Sequence, residues 1–470
     1  MLAFDYLLGL QHDNPILYQQ IHGATFTARD ILQEVWRKTH ALKNRNVSSG
    51  DNIVIFADDS VDFICTFWAL TAIGVKIIPL LKDEKQSQLR TVLQRHCIDG
   101  IITDEKIEVE NIPVYSLDEL TSSINSEIIW HRYGQDESWL CLPTSGTSGG
   151  FKLIVHTNLS MLDMVDTSLQ ASNNHGGFNG VLFSPAKIPF GVGILYNVIG
   201  PLIMNYIALI GFRPSYMKSV VDILVKYQVN HLVVMPHFIE FMSRFANDKL
   251  PPSLQSVTSA GDFLLDAIAE NFKKQFGTDI NNIYGMSEYG CIASGLHVSS
   301  NIAGQSLFDF ADIRVVDDSN IDCGLNQSGI IQIRPRHCFS GYLDDTESTH
   351  LVLRNGWIHT NDVGQICDNG ILMLFGRRNS YFKLRSKWFS TIDLENKIVK
   401  IKNVVDCVAS HRDGNLLLKL KLTDDAEQTQ TETKKFILNK FEKIFHNLSI
   451  EFVNEIPRTL NMKKVRQQYE

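Results

Sequence analysis

Short apolar runs alternate with helix-patterned stretches through the first part of the chain, and this alternation constrains the fold more than any other feature. Residues 52–56 form an apolar run of strand length, residues 62–74 carry a helical pattern, and residues 75–80 form the next apolar run. A second helical pattern over 84–97 leads to a third apolar run at 100–102. A parallel connection between strands needs a crossover long enough to hold a helix. The sequence therefore predicts an α/β fold with a parallel sheet.

The alternation resumes after residue 150 and changes character near residue 300. The second layer is predicted to contain a helix near 158–171, a strand at 180–183, a helix over 191–203, a strand at 206–211, a helix over 217–227 and a strand at 231–235. Short strands and turns over 300–375 predict a small β-barrel-like subdomain. The C-terminal segment is predicted to contain a helix near 391–400, strands at 404–410 and 415–422, a polar turn over 423–433 and a helix over 434–446. We therefore expect a large N-terminal domain over residues 1–378, with two α/β sheet layers and the barrel-like subdomain, followed by a small α+β domain over 379–470.

Composition limits the partners of the chain. At 470 residues the chain is too long for one ordinary core, which supports more than one domain. The net charge of −8 provides no basic surface, so neither nucleic acid nor a membrane is an expected partner. The eight cysteines include no Cys-x-x-Cys pair, and the N-terminus lacks the basic start of a signal peptide. These features favour a reducing, cytoplasmic location.

The stretch over 191–212 is the one membrane-like run of the sequence. Asn197, Pro201 and Asn205 interrupt it. A buried helix that leads into a buried strand is the favoured interpretation, and a membrane span is the alternative.

A loop rich in glycine and hydroxyl groups joins two apolar runs at 139–142 and 153–155. Its small and hydroxylated residues are Thr144, Ser145, Gly146, Thr147, Ser148, Gly149 and Gly150. Exposed backbone N–H groups and hydroxyls can surround a polyphosphate, and glycines allow the backbone to approach it closely. The loop is not a Walker A motif, because Lys152 lies between Phe151 and Leu153 rather than between Gly and Ser or Thr. A flexible surface linker is the alternative, although a linker does not normally join two apolar runs directly.

Five further stretches follow this loop in a fixed order. They are residues 258–261 (Thr-Ser-Ala-Gly), 282–288 (Asn-Ile-Tyr-Gly-Met-Ser-Glu), 356–362 (Gly-Trp-Ile-His-Thr-Asn-Asp), 376–379 (Gly-Arg-Arg-Asn) with Lys383, and 457–463 (Pro-Arg-Thr-Leu-Asn-Met-Lys). Together they resemble the adenylate-forming superfamily of acyl-CoA synthetases, peptide-synthetase adenylation domains and luciferases. The resemblance covers nearly the whole chain. It implies that ATP and Mg²⁺ convert a small-molecule carboxylate to acyl-AMP, and that a thiol then accepts the acyl group after the C-terminal domain rotates.

The resemblance assigns the phosphate chemistry to particular residues. The hydroxyls of Thr144, Ser145, Thr147 and Ser148, the loop glycines Gly146 and Gly149, and Lys152 are expected to bind the β- and γ-phosphates. Ser287 is expected to contact the α-phosphate and the carboxylate, and Glu288 to bind Mg²⁺. Lys463 corresponds to the mobile lysine that bridges the acid and the α-phosphate. Such groups are needed because negative charge develops on the phosphate oxygens during the reaction.

The resemblance also defines a nucleoside side. Asn282 and Tyr284 match adenine-side residues, in motifs that include Gly261 and Gly285. Asp362 is expected to accept the two ribose hydroxyls, because a carboxylate has two acceptor oxygens, and Arg377 is a second ribose contact.

Each of these residues also has an ordinary structural interpretation. Glu288 could be a solvated surface acid, Asp362 could cap a turn, and Lys463 could belong to a frayed basic tail. Several positions depart from the family pattern. They are Phe151, Asn158, Asn361, Asn379, Ser386 and Met462. Ser386 lies where the family tunnel for the pantetheine thiol is bordered, which puts the identity of the thiol acceptor in question.

The acyl side resembles benzoate-type CoA ligases over residues 183–193. This stretch lacks the Phe-Asp pair that holds an amino group in peptide-synthetase domains, so an aromatic or small acyl carboxylate is expected. The predicted pocket residues are Lys187, Phe190, Gly191, Met235, His237, Ser259, Ala260 and Met286. For each of them, ordinary core packing is the alternative.

Three functions remain open at this level. The first is a ligase that forms a thioester with CoA. The second is an acyl-AMP ligase that loads the phosphopantetheine thiol of a separate acyl carrier protein. The third is a degenerate nucleotide-binding protein without turnover.

Overall fold

The computed structural model describes residues 3–10, 12–82, 86–123, 129–144, 151–173, 177–204, 206–213, 219–245, 249–296, 302–307, 309–384, 387–412, 415–424, 426–441, 447–458 and 464–465. Its helices are α1 Ala3–Leu10, α2 Ala28–Lys43, α3 Val61–Ile73, α4 Ser87–Arg95, α5 Asn158–Asn173, α6 Gly191–Gly193, α7 Gly200–Ile203, α8 Val220–Lys226, α9 Pro236–Phe245, α10 Asp266–Phe276, α11 Thr346–Val352, α12 Thr391–Ile398 and α13 Glu427–Phe441. Its strands are β1 Ile16–Gln20, β2 Thr25–Thr27, β3 Asn52–Phe56, β4 Lys76–Leu80, β5 Gly100–Thr103, β6 Val114–Ser116, β7 Ser138–Pro143, β8 Leu153–Thr157, β9 Gly180–Phe183, β10 Tyr206–Ile210, β11 His231–Val234, β12 Ser256–Ser259, β13 Ile280–Met286, β14 Gly290–Leu296, β15 Ile302–Ser306, β16 Ala311–Val316, β17 Gly329–Pro335, β18 Gly341–Tyr342, β19 Leu353–Arg354, β20 Trp357–Ile366, β21 Ile371–Arg377, β22 Tyr381–Leu384, β23 Lys387–Ser390, β24 Val404–Arg412, β25 Asn415–Leu422 and β26 Asn447–Phe452.

The first layer is a mostly parallel sheet with the strand order β18-β8-β7-β4-β3-β5-β6 in the described part of the chain. Its strand β3 is buried on both faces, because Val54 packs into one apolar cluster while Ile53 and Ile55 pack into another. A continuous apolar run suits such a strand, since helices cover both faces of a parallel sheet. The helix α3 begins after Ser60, whose hydroxyl caps it, and ends at Gly74, which adopts the left-handed conformation. The predicted order β3, α3, β4, α4, β5 is confirmed.

The second layer belongs to a longer sheet with the order β16-β17-β20-β21-β15-β14-β13-β12-β11-β9-β10-β1-β2, and β19 pairs with β20. The path from β1 to β13 is parallel. The path from β13 to β16 is antiparallel. The strands expected to form a barrel-like subdomain therefore continue the hydrogen bonding of the parallel sheet. The predicted α/β fold class is confirmed.

The membrane-like stretch is buried inside this layer. It consists of α6, a π-helical segment over Ile194–Ile199, α7 and then β10. A Cβ on Gly200 would collide with the hydroxyl of Tyr206, which donates a hydrogen bond to the carbonyl of Tyr196 over 2.8 Å. A buried helical segment that leads into a buried strand was the favoured interpretation of this stretch. In the described part of the chain, no helix is long and apolar enough to cross a membrane.

The C-terminal part contains the hairpin β22–β23 and the sheet β24-β25-β26. The helices α12 and α13 share an apolar cluster with β24 and β25. A polar turn was predicted over 423–433. This prediction is wrong from Glu427 onward, because α13 begins at that residue. The amide of Ala426 donates to the side chain of Asp424 over 3.0 Å, and Glu and Gln are good helix formers.

Candidate active site

Three polar side chains, one each from β13, β20 and β21, form a hydrogen-bonded cluster. The hydroxyl of Tyr284 donates to Oδ2 of Asp362 over 2.5 Å, and Nε of Arg377 lies 2.9 Å from Oδ1. Asp362 and Arg377 are directly opposite each other in the β20–β21 register. The hydroxyl of Thr360 accepts a hydrogen bond from the amide of Asp362, and the carbonyl of Thr360 accepts one from the guanidinium of Arg377. The strand pairing therefore fixes the orientation of the carboxylate.

The charges of this cluster support one another. Burial, and then the adjacent carboxylate of Asp362, raise the pKa of Tyr284 well above its usual value, so the phenol remains a donor. The same carboxylate raises the pKa of Arg377. The side chain of Arg377 is 57% exposed, whereas that of Asp362 is 9% exposed. Each oxygen of Asp362 accepts one of these two bonds and has a second lone pair for a ligand donor.

Ser287 and Glu288 occupy the tight turn between β13 and β14, in which Met286 pairs with Gly290. Gly285 is required here, because an added Cβ would lie 2.3 Å from the carbonyl oxygen of Gly290. The turn therefore presents the predicted α-phosphate contact and the predicted metal ligand side by side, next to the Tyr284 cluster.

A tyrosine that the sequence did not identify connects this turn with the glycine-rich loop. The hydroxyl of Tyr342 donates to Oε1 of Glu288 over 2.8 Å, and Nζ of Lys152 lies 5.1 Å from the centre of the Tyr342 ring. Burial, and then the charge of Glu288, raise the pKa of Tyr342. Tyr342 belongs to β18, which pairs with β8 immediately after the loop. The tyrosine therefore places Lys152 and Glu288 on the same side of the site.

A buried histidine that the sequence did not identify forms a hydrogen bond with the turn at Ser287. Nε2 of His156 lies 2.8 Å from the carbonyl oxygen of Ser287, and Nδ1 lies 3.2 Å from the hydroxyl of Ser160. Burial lowers the pKa of His156 to about 4, so the ring is neutral near pH 7. Because a carbonyl can only accept, Nε2 carries the proton. A histidine inside the apolar run of β8 was the signal that could have revealed this role.

The glycine-rich loop is described only at its ends. The amide of Thr144 donates to the carbonyl of Lys152 over 2.8 Å, and the amide of Lys152 donates to the hydroxyl of Thr144 over 3.1 Å. These two bonds close the loop. The other predicted phosphate-binding residues of the loop, and Lys463, lie outside the described residues. The loop residues concerned are Ser145, Gly146, Thr147, Ser148 and Gly149.

The predicted acyl-side residues meet near the same turn through close backbone contacts. A Cβ on Gly191 would lie 3.3 Å from the hydroxyl oxygen of Ser287. Gly261 has a φ of +89°, and a Cβ there would lie 3.4 Å from Cγ of Met235. Phe190 immediately precedes α6, and Met286 packs at the margin of the main apolar cluster. Most of these side chains are apolar, so packing rather than hydrogen bonding fixes this side.

Four further predicted residues lie on the adjoining strands and on α9. Asn282 pairs with Ser259 across β13 and β12, and Ala260, which follows β12, is buried. The hydroxyl of Ser259 is buried without a hydrogen-bond partner among the described residues. His237 lies at the start of α9, where burial, and then the positive charge of Arg458, lower its pKa to about 4.

Lys187 has a partner outside this group. Its Nζ lies 3.4 Å from Oδ2 of Asp59, a carboxyl whose pKa is raised by burial. Both residues line a separate cavity of about 890 Å³ that also contains Asp58, Asp62 and Asp104. The structure thus pairs Lys187 with a carboxylate, and none of the other predicted acyl-side residues lines this cavity.

Glu288 suits a magnesium–nucleotide complex better than a protein-only metal site. Within the described residues, no group of three or more His, Cys, Asp or Glu side chains is arranged to hold a metal ion. Mg²⁺ bound to a nucleotide typically takes one or two carboxylates and completes its shell with phosphate oxygens and water. Oε1 of Glu288 accepts the hydrogen bond from Tyr342, whereas Oε2 has no hydrogen-bond partner among the described residues.

Comparison with known proteins places this site in a known family. The family model described as AMP-binding enzyme matches residues 9–343. The chain belongs to the AMP-binding enzyme family. The predicted relationship to adenylate-forming enzymes is thereby confirmed. Tyr284 and the turn at Ser287 lie within the matched residues, whereas Asp362 and Arg377 follow them in the chain.

Other members resemble the chain along nearly its whole length. A 2-succinylbenzoate–CoA ligase of Bacillus mycoides (strain KBAB4) is 22% identical, over 96% of this chain and 94% of its own. A 4-coumarate–CoA ligase of Narcissus pseudonarcissus is 22% identical, over 97% and 90%. ATP-bound MatB from Rhodopseudomonas palustris has a TM-score of 0.85 at 16% identity, over 99% and 97%. The o-succinylbenzoate CoA synthetase of Bacillus subtilis, in complex with an acyl-adenylate intermediate, has a TM-score of 0.82 at 18% identity, over 98% and 96%. The two structures share the fold of this AMP-binding enzyme.

Proposed function

We propose that this enzyme uses ATP to convert a carboxylic acid to acyl-AMP and then transfers the acyl group to the thiol of CoA. The observation that carries the proposal is the arrangement at the end of β13. Tyr284, which holds the carboxylate of Asp362 together with Arg377, lies on the strand that leads into the turn with Ser287 and Glu288. A nucleotide that bonds to Asp362 through its ribose would direct its phosphates toward Glu288 and Lys152.

The nucleoside half of this site would bind and orient ATP. Asp362 accepts the ribose hydroxyls with the lone pairs that Tyr284 and Arg377 leave open. Asn282 and the backbone at Gly261 border the adenine. None of these groups takes part in proton transfer, and their contribution is to hold the α-phosphate beside the incoming carboxylate.

The phosphate half would stabilise the charge that develops when the carboxylate attacks the α-phosphate. Lys152 and the loop from Thr144 to Gly149 would bind the β- and γ-phosphates. Ser287 would contact the α-phosphate, and Lys463 would bridge the reacting oxygens. Glu288 would hold Mg²⁺, which when bound neutralises phosphate charge. His156 keeps Ser287 in place by donating to its carbonyl.

Two domains, over residues 1–378 and 379–470, would alternate their contact between the half-reactions. The first half-reaction needs Lys463 at the α-phosphate, and the second needs a path by which the thiol reaches the acyl carbon. A change in the position of the C-terminal domain would meet both needs with one site.

The acid is proposed to be aromatic or a small acyl carboxylate. Phe190, Met235 and Met286 offer apolar surface beside Ser287. The names of the two ligases compared above refer to 2-succinylbenzoate and 4-coumarate, and both of those acids carry an aromatic ring. All eight cysteines of the chain are free thiols, which supports a reducing, cytoplasmic location.

Carboxylate-dependent exchange between ATP and pyrophosphate tests the proposal. The enzyme is incubated with Mg²⁺, ATP and a panel of aromatic acids, short acyl acids and amino acids. CoA or a phosphopantetheinylated carrier protein is then added to the best acid. We expect exchange with aromatic or short acyl acids and thioester formation on CoA. A strong preference for amino acids would contradict the substrate class, and transfer to the carrier alone would replace CoA as the acceptor.

A further inference from the structure

The segment that carries Lys463 begins and ends at one carboxylate. Arg458 and Lys464 form an isolated antiparallel bridge, and the amide of Val465 donates to the carbonyl of Pro457 over 2.9 Å. The two cationic side chains converge on Asp406 of β24. The guanidinium of Arg458 lies 2.7 Å from Oδ2, and Nζ of Lys464 lies 2.6 Å from Oδ1.

This arrangement is buried and is specified by the local backbone. The side chains of Asp406, Lys464 and Arg458 are 7%, 6% and 17% exposed. Burial raises the pKa of Asp406, but the charges of Lys464 and Arg458 outweigh it, and the net shift is downward. A register shift between Val404 and Asp406 redirects the carboxylate, since such a shift changes the direction in which a strand residue points. Lys464 also donates to the carbonyl of Cys407 over 2.8 Å.

Arg458, one of the two cations, also contacts a residue of α9, outside the C-terminal part of the chain. The guanidinium of Arg458 lies 3.7 Å from Oε2 of Glu240 on α9, and the other oxygen of Glu240 pairs with Arg244 over 2.7 Å. His237 lies one turn before Glu240 on the same helix, and the charge of Arg458 contributes to its lowered pKa. Arg458 therefore lies close to the acyl side of the candidate site.

We propose that Asp406 fixes Arg458 and Lys464, the residues on either side of the segment with Lys463, and that the Arg458–Glu240 pair holds Arg458 at α9, near His237, during acid activation only. Arg458, Asp406 and Glu240 are positioning residues, because they act through the segment and not on the substrate. The inference rests on the proposed function, since it assigns Lys463 to the first half-reaction. In the second half-reaction the C-terminal domain would leave this contact, and the pair would no longer contribute.

The discriminating variant is Glu240→Gln, which keeps the shape of the side chain and removes its charge. We expect the kcat of ATP–pyrophosphate exchange to decrease by about fivefold, with the KM for ATP unchanged, because partly buried ion pairs couple at that order. Transfer to CoA from preformed acyl-adenylate should keep its wild-type rate. Arg458→Lys should show an intermediate loss, since a single ammonium cannot span both carboxylates as a guanidinium fork does.

Glu270→Gln is the matched control. It removes a second ion pair between the same two parts of the chain, in which Lys400 lies 3.0 Å from Glu270 and both side chains are largely exposed. This variant should stay within about twofold of wild type in both half-reactions, because exposed pairs contribute little. Asp406→Asn should reduce the exchange rate more than Glu240→Gln, and its melting temperature reports any loss of folding.

The outcomes separate the inference from the proposed function. Equal losses of both half-reactions in Glu240→Gln would mean a purely structural role and would overturn the inference, as would no loss in either. If the wild-type enzyme shows no exchange with any acid of the panel, the proposed function fails instead.

Discussion

The two sides of the candidate site are fixed in different ways. On the proposed nucleotide side, Tyr284 and Arg377 both bond to Asp362, and Tyr342 bonds to Glu288. On the acyl side, Met235 and Met286 contact neighbours by packing. A hydrogen-bonded polar network loses much of its stabilising free energy when one member is removed, whereas an apolar surface tolerates substitutions of similar volume. The difference predicts that the proposed nucleotide site tolerates few substitutions, whereas the proposed acyl pocket can change its choice of acid.

The largest effect is expected from Asp362→Ala. It removes the buried carboxylate from Tyr284 and Arg377, together with the two charge-assisted bonds that we propose to the ribose. We expect kcat/KM for ATP to decrease by about 10²- to 10⁴-fold, at roughly 1.5–3 kcal/mol for each such bond. Steady-state exchange kinetics measure the decrease. Asp318→Asn, which removes the exposed pair with Arg378, is the control and should behave as wild type.

Acid should weaken the nucleotide side through His156. The histidine of the unfolded chain takes up a proton near pH 6.5, whereas the folded pKa is about 4. The unfolded state therefore binds more protons between these values, and the free energy of unfolding should decrease by on the order of 3 kcal/mol as the pH falls through that window. Urea unfolding at several pH values measures it. His156→Gln should reduce the dependence without abolishing it, because the pKa of His237 is also lowered to about 4.

Tyr342→Phe tests how much the hydrogen bond from Tyr342 to Glu288 contributes to activity. The ring beneath Lys152 remains, and only the bond to the carboxylate is lost. Because a bond to a charged group contributes about 1.5–3 kcal/mol, exchange should slow by about 10- to 100-fold. More Mg²⁺ should be needed for half-maximal activity. An unchanged Mg²⁺ requirement would argue against the assignment of Glu288 as the metal ligand.

The smallest effect is expected on the acyl side. Met235→Ala enlarges the space beside Gly261 and should change the ratio of kcat/KM between a larger and a smaller acid by about tenfold or less. The KM for ATP should not change. A loss of ATP binding comparable with that of Asp362→Ala would remove the distinction between the two sides.

Local patterns predicted the elements well where a single feature decides them. The strand β3 has the predicted bounds because an apolar run follows a turn. The start of α13 was missed, because polar residues of good helix propensity resemble a loop when no apolar face is visible. The π-helical segment over Ile194–Ile199 was predicted as ordinary helix, since crowding around Gly200 arises only in the folded chain.

Contacts between residues far apart in the sequence account for the features of the site that the sequence did not predict. Tyr342 reaches Glu288 because β18 pairs with β8, and His156 reaches a carbonyl 131 residues away. The partner of Lys187 was equally hidden. The roles of the loop serines and of Lys463, and the boundary near residue 378, stay predictions. The family itself was recognisable, because its motifs are short, ordered and spread along the chain.

The most direct test of the central claim is mass spectrometry of the enzyme after incubation with ATP, Mg²⁺ and its best acid, with no thiol present. We predict one acyl-AMP per chain and one equivalent of released pyrophosphate, followed by AMP and an acyl thioester when CoA is added. Release of ADP or phosphate without an acyl-adenylate, or nucleotide binding with no acid-dependent product, would contradict the account.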